Sequence, residues 1–138
     1  MSDISILYED EFLIALNKRC GDLVQPDRSG PWALNRAVAD YLIARGVKEP
    51  FVGVVHRLDR PVSGVVLFAK TQAVTASLSS LFCEGGIRKI YWAVTDTFPD
   101  IPSGTLIHYI RVDKRTGKSF ALDDPVQGAK RAVLDFRL

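Results

Sequence analysis

Residues 65–69, V-V-L-F-A, are five consecutive apolar positions held between Gly64 and Lys70. A run this short is too brief for a core helix, and two of its residues are β-branched, so it reads as a buried strand. What surrounds it is a mixture of short strands and two helical stripes. Residues 4–8 and 12–17 are apolar runs separated by Asp10-Glu11, which predicts an opening hairpin. Residues 25–31 hold two prolines, a glycine and an aspartate and read as a loop. Leu34, Val38, Tyr41 and Leu42 recur at helical spacing, with Gly46 as a stop. Val74, Leu78, Leu81 and Phe82 repeat that spacing after Thr71, a candidate N-cap, and Gly85-Gly86 ends the stripe. Residues 89–94, 105–111 and 132–138 read as further strands. Residues 114–118 form a charged turn followed by a polar link. Short connections and the opening hairpin predict an α+β fold, a mainly antiparallel mixed sheet with two helices, rather than a βαβ wound one.

The 138 residues suffice for one domain with one core. The net charge of +2 permits nucleic-acid binding without requiring it. No apolar run is long enough to span a bilayer, and Met1-Ser2-Asp3 lacks the basic start of a secretory signal, so a cytoplasmic location is expected. The cysteines, Cys20 and Cys83, are too far apart in sequence for a small disulfide scaffold. Cys20 falls in a turn before Gly21, and Cys83 falls on an apolar helix face beside Phe82. His56 and His108 are isolated and no metal-ligand spacing occurs, so no metal is expected.

The stretch that concentrates chemistry is residues 54–64, V-V-H-R-L-D-R-P-V-S-G. It sets one carboxylate, Asp59, between Arg57 and Arg60. Pro61 fixes φ and removes a donor, and Gly64 permits an unusual backbone angle, so Asp59 is expected on a loop entering the apolar strand. The two arginines favour an ionised carboxylate, which can be a nucleophile, and they can also hold RNA phosphates. The charge pattern alone reads first as a surface ion pair in a turn.

The full string H-R-L-D-R-P-V-S-G, continued by V-V-L-F-A-K-T, resembles the H-R-L-D-x-x-x-S-G signature of RluA-type pseudouridine synthases. Residues 8–18 resemble the family's opening strands. Residues 89–94, K-I-Y-W-A-V, are similar to its K-x-Y-x-A strand, and residues 128–133 to its later G-K-x-A strand. The resemblance implies an RNA uridine isomerase without metal or organic cofactor. Asp59 would be the essential aspartate. Tyr91 would pack on the flipped base and serve proton transfer at C5. Arg57 would fill the gap left by the base or contact its phosphate, while His56 and Arg60 would shape the loop and its backbone contacts to RNA. When the family is set aside, Tyr91 beside Trp92 reads first as a core residue. Arg111, Lys114, Arg115 and Lys118 form a basic cluster suited either to RNA or to a solvated hairpin tip.

Two departures stand out. The family's K-P-x-G is here Lys18-Arg19-Cys20-Gly21, without the proline's rigid turn. In the family a further strand and a T-G-R-x-H-Q-I-R-like segment follow the position of Leu138, and an S4-type RNA-binding domain often precedes the opening strands. The expectation is therefore a partial catalytic domain over residues 1–138, with no S4-type domain and an open sheet edge that favours a homodimer. Two functions compete: a pseudouridine synthase acting on ribosomal or transfer RNA, and a non-catalytic RNA-binding or interaction fragment of the same fold.

Overall fold

The structure, a computed structural model, describes residues 4–27, 30 and 32–138; residues 28, 29 and 31 of the expected loop lie outside the described ones. The chain divides into two compact units, Met1–Ile90 and Tyr91–Leu138.

In the first unit, strands β1 (Ile6–Glu9), β2 (Leu13–Lys18), β3 (Gly53–Val54) and β4 (Gly64–Ala69) form an antiparallel sheet in the order β1-β2-β4-β3. The expected hairpin is β1–β2. Its turn is closed by the Asp10 carboxylate, which accepts the backbone N–H groups of Phe12 and Leu13, each at 2.8 Å. Helices α1 (Leu34–Ala44) and α2 (Gln72–Cys83) match the two stripes. The expected cap on α2 is present: Thr71 Oγ1 accepts the Val74 N–H at 3.2 Å.

The apolar run of β4 is central, as expected, yet it alternates. Val66 and Phe68 are 0% exposed, whereas Val65 is 54% exposed. The register explains this, because Leu16 faces Val66 and Ile14 faces Phe68 across the ladder. These four side chains meet Leu34, Val38 and Leu42 of α1 in the core. Side chains on a strand alternate between faces, so one face is sealed by α1 and the other is only partly covered. Cys83 likewise lies exposed at the end of α2 rather than on a buried face. A second tie joins hairpin to helix: the Tyr41 hydroxyl donates to Glu9 Oε2 at 2.8 Å, and Lys70 Nζ donates to Glu9 Oε1 and to the Asp10 carbonyl, each at 2.5 Å.

Where α2 packs on β3, Gly53 lies against the Thr75 side chain. A Cβ built on Gly53 would lie 2.0 Å from Thr75 Oγ1. That hydroxyl is itself engaged, donating to the Thr71 carbonyl at 2.8 Å. Gly53→Ala must displace the Thr75 side chain or the helix that carries it, and an overpacking cost of about 1–3 kcal/mol follows. Chemical denaturation should show the lowered midpoint, and Gly53→Ala combined with Thr75→Ala should recover most of it.

The second unit holds β5 (Ser103–Val112), β6 (Ser119–Leu122) and β7 (Lys130–Arg137), antiparallel in the order β6-β5-β7. Strands β5 and β7 were expected; β6 lies in the supposed polar link. Its alternation is only Phe120 and Leu122, and it becomes a strand by pairing with Arg111 and Tyr109 of β5. The β5–β6 turn is pinned by Asp113, whose carboxylate accepts from Arg115 N–H and the Thr116 hydroxyl, both at 2.8 Å. Residues 89–94, expected as a strand, have no regular structure. A strand exists through its ladder, and among the described residues no segment pairs with this one. Also among the described residues, no helix is long and apolar enough to cross a membrane.

Candidate active site

Asp59 lies on the loop that leads into β4 and is exposed, as are Arg57 and Arg60. The loop turns tightly: the Val62 N–H donates to the Asp59 carbonyl at 3.0 Å. It then enters β4 through Gly64, whose φ of +142° is one that residues with a Cβ rarely adopt. The expectation of an unusual backbone at Gly64 is met.

What holds this loop is a side chain for which sequence reasoning assigned no role. Lys18, the last residue of β2, is 0% exposed and is the only charged residue in the core among the described residues. Its Nζ donates to the carbonyls of Arg19 at 3.2 Å, Asp59 at 3.0 Å, Arg60 at 3.2 Å and Val62 at 2.5 Å. Three of those acceptors belong to the aspartate loop. Burial lowers the Lys18 pKa from its ordinary value of 10.5, while the nearby charges of Asp22, Cys20 and Asp59 oppose that shift. The ammonium therefore serves as a clasp on the backbone of the loop that carries Asp59.

Arg60 completes the clasp. Its Nε donates to the Gly21 carbonyl at 3.1 Å, and the Gly21 N–H donates to the Arg60 carbonyl at 2.8 Å. Gly21 has a φ of +94°, so the turn at residues 18–21 is compatible with that double contact despite lacking the family's proline. Among the described residues neither Arg57 nor Arg60 forms an ion pair with Asp59. The side-chain charges around Asp59 stay open to solvent and to a ligand.

His56 turns inward. Its Nε2 accepts the Leu67 N–H of β4 at 3.0 Å, and its ring stacks on Phe82 of α2 with centroids 4.6 Å apart. Burial, aided by the positive charge of Lys89, lowers its pKa from 6.5. An accepting Nε2 requires the ring to be neutral at that nitrogen. His56 therefore joins the motif to the sheet and to α2. Because the folded state disfavours the proton, the stability that neutral His56 contributes is full above pH 6.5 and is lost as pH falls through its lower folded value. Between pH 7.5 and 5.5 the urea midpoint should fall further for the natural protein than for His56→Gln, whose amide oxygen keeps an acceptor without titrating. Equal slopes would count against this role.

Tyr91 opens the second unit and is 62% exposed in a stretch without regular structure. Lys114, Arg115 and Lys118 are exposed on the pinned β5–β6 turn, with Arg111 exposed on β5 just before it. Among the described residues no group of three or more His, Cys, Asp or Glu side chains could hold a metal ion.

The chain is similar to known proteins. A family model described as RNA pseudouridylate synthase matches residues 12–138. An uncharacterized RNA pseudouridine synthase of Synechocystis sp. is 32% identical over 145 residues, covering 98% of this chain and 42% of that protein. Ribosomal large subunit pseudouridine synthase D of Zymomonas mobilis is 31% identical over 141 residues, covering 98% and 43%. Synthase C of Escherichia coli is 39% identical over 89 residues, 64% of this chain and 27% of its own. The chain thus spans less than half the length of these relatives. Among solved structures, human RNA pseudouridylate synthase domain containing 4 aligns over 94% of this chain and 51% of its own, with a TM-score of 0.71 and 25% identity. An antiparallel α+β scaffold, an aspartate loop clasped from below and a match across nearly the whole chain lead to one assignment: the chain belongs to the RNA pseudouridylate synthase family, of the RluA type.

Proposed function

We propose that this chain carries the aspartate-bearing part of an RNA pseudouridine synthase acting on ribosomal RNA. The observation that supports it most is the exposed Asp59 side chain on a loop whose backbone is fixed by buried Lys18. Positioning of this kind is what covalent or electrostatic work at a sugar carbon needs. The ribosomal substrate is favoured because two of the relatives are named for the large ribosomal subunit.

The reaction is an isomerisation, so the atoms balance without any co-reactant. The N1–C1′ glycosidic bond of uridine breaks, the uracil turns, and a C5–C1′ bond forms. The proton on C5 departs and N1 gains one. Asp59 acts at C1′ as the carboxylate that assists cleavage and rejoining. Arg57 and Arg60, both exposed beside it, take the RNA backbone or the space the flipped base leaves. Tyr91 packs on the turned base and serves the proton transfer at C5. An open sheet edge in a chain of this kind also favours self-association, which light scattering on the purified chain reads directly. The natural full-length protein, given ribosomal RNA labelled with tritium at C5 of uridine, should release tritium to water. RNA binding without any release, with the mapped uridines unchanged, would favour the non-catalytic reading instead.

A further inference from the structure

Beside the clasped turn lies a cavity of about 220 Å³, whose lining includes Leu16, Asn17, Arg19, Asp22, Trp32 and Leu34. Its size narrows the occupant. It exceeds by several times the roughly 30 Å³ of one water and falls short of the roughly 300–1,000 Å³ of sites for drug-sized ligands. It suits one planar heterocycle and not a whole nucleotide.

Its lining narrows the chemistry. Leu16 and Leu34, both nearly fully buried, give an apolar floor. Trp32 is 41% exposed and presents an aromatic surface to whatever enters. Asn17 is exposed on β2 and brings an amide that both donates and accepts. Asp22 brings a carboxylate, which accepts from an amino group and repels a phosphate. Its Oδ2 already accepts the Arg19 N–H at 3.2 Å, which fixes the carboxylate at the wall. Arg19 also lines the cavity, and its guanidinium can donate to a base or to that base's phosphate. The aromatic wall and the amide describe a base, and the Asp22 carboxylate favours one with an exocyclic amine over uracil, whose single N–H is flanked by two carbonyl oxygens.

The cavity is mechanically joined to the aspartate loop. Lys18 bridges the carbonyls of Arg19 and Asp59, and Gly21 exchanges two hydrogen bonds with Arg60. A wall of the cavity and the loop that presents Asp59 are one hydrogen-bonded piece.

We propose that this cavity is a base-reading subsite, taking one unstacked amino-bearing nucleobase of the RNA that presents its uridine to Asp59. The proposal rests on the synthase reading for the identity of the RNA, but the cavity's preference is testable without it. Stacking of a base on an aromatic side chain is worth about 1–3 kcal/mol, or roughly 5- to 150-fold in affinity.

The test uses the natural protein and its Trp32→Phe, Trp32→Leu and Asn17→Ala variants. AMP and CMP at millimolar concentration should quench the indole fluorescence due to Trp32, read as the difference from Trp32→Phe, which retains the exposed Trp92, and UMP should act at least several-fold more weakly. With tritium release as the readout, Trp32→Leu and the surface change Asn17→Ala should each raise KM about tenfold and leave kcat nearly unchanged. Active variants with unaltered KM and no Trp32-dependent quench would overturn the subsite while leaving the synthase reading intact. Equal quenching by UMP would overturn the amino-group preference. Quenching without any tritium release would keep the base site and overturn the synthase reading instead.

Discussion

Asp59→Asn in the full-length protein should lower tritium release by at least about 10,000-fold while RNA affinity stays within about twofold. The split follows from where Asp59 sits. The chain fixes its loop through backbone carbonyls, with Lys18 Nζ reaching the carbonyls of Asp59, Arg60 and Val62. The carboxylate has no part in that clasp and forms no ion pair with either neighbouring arginine. An amide of the same shape therefore leaves the loop standing and removes only the charge and nucleophilicity. Asp59→Glu keeps the charge but moves it by one methylene, and it should recover little, because misplacement of about 1 Å costs on the order of 100-fold. If Asp59→Asn retained a tenth of the natural activity, the aspartate would not be the group acting at C1′.

Lys18→Met should destabilise the first unit by about 3 kcal/mol. Methionine keeps most of the lysine stem, one atom shorter, but donates nothing. The carbonyls of Arg19, Asp59, Arg60 and Val62 would lose a shared donor at once. Part of the loss is softened: the Asp59 carbonyl still accepts from Val62 N–H and the Arg60 carbonyl from Gly21 N–H. For a chain of this size the midpoint of thermal unfolding should fall by roughly 10 °C. Release of the three loop carbonyls also loosens the position of Asp59, so activity below the new midpoint should drop as well. A variant with unchanged midpoint and unchanged activity would show that the clasp contributes nothing.

Much of this was legible in the sequence, for identifiable reasons. The hairpin, both helices, the Thr71 cap and the strands β4, β5 and β7 follow from periodicity and turn residues, which are local signals. Asp59 stood out because a long motif surrounds it. The contribution of Lys18 was hidden because its acceptors at Asp59, Arg60 and Val62 lie 41 to 44 residues away and are main-chain atoms, identical in every amino acid. β6 was hidden because two apolar side chains make no pattern; its partner on β5 makes it a strand. Residues 89–94 fail the other way, since strong β propensity in K-I-Y-W-A-V has no ladder to join among the described residues.

The clasp by Lys18 has an evolutionary consequence. A donor that grips carbonyls is indifferent to the side chains those carbonyls belong to, apart from the Arg60 bond to Gly21. Substitutions at Val62 and, with some loss of the turn contact, at Arg60 can therefore accumulate without displacing Asp59. The loop can drift in charge and bulk, and so adapt to different RNA contours, while the position of the carboxylate is inherited unchanged.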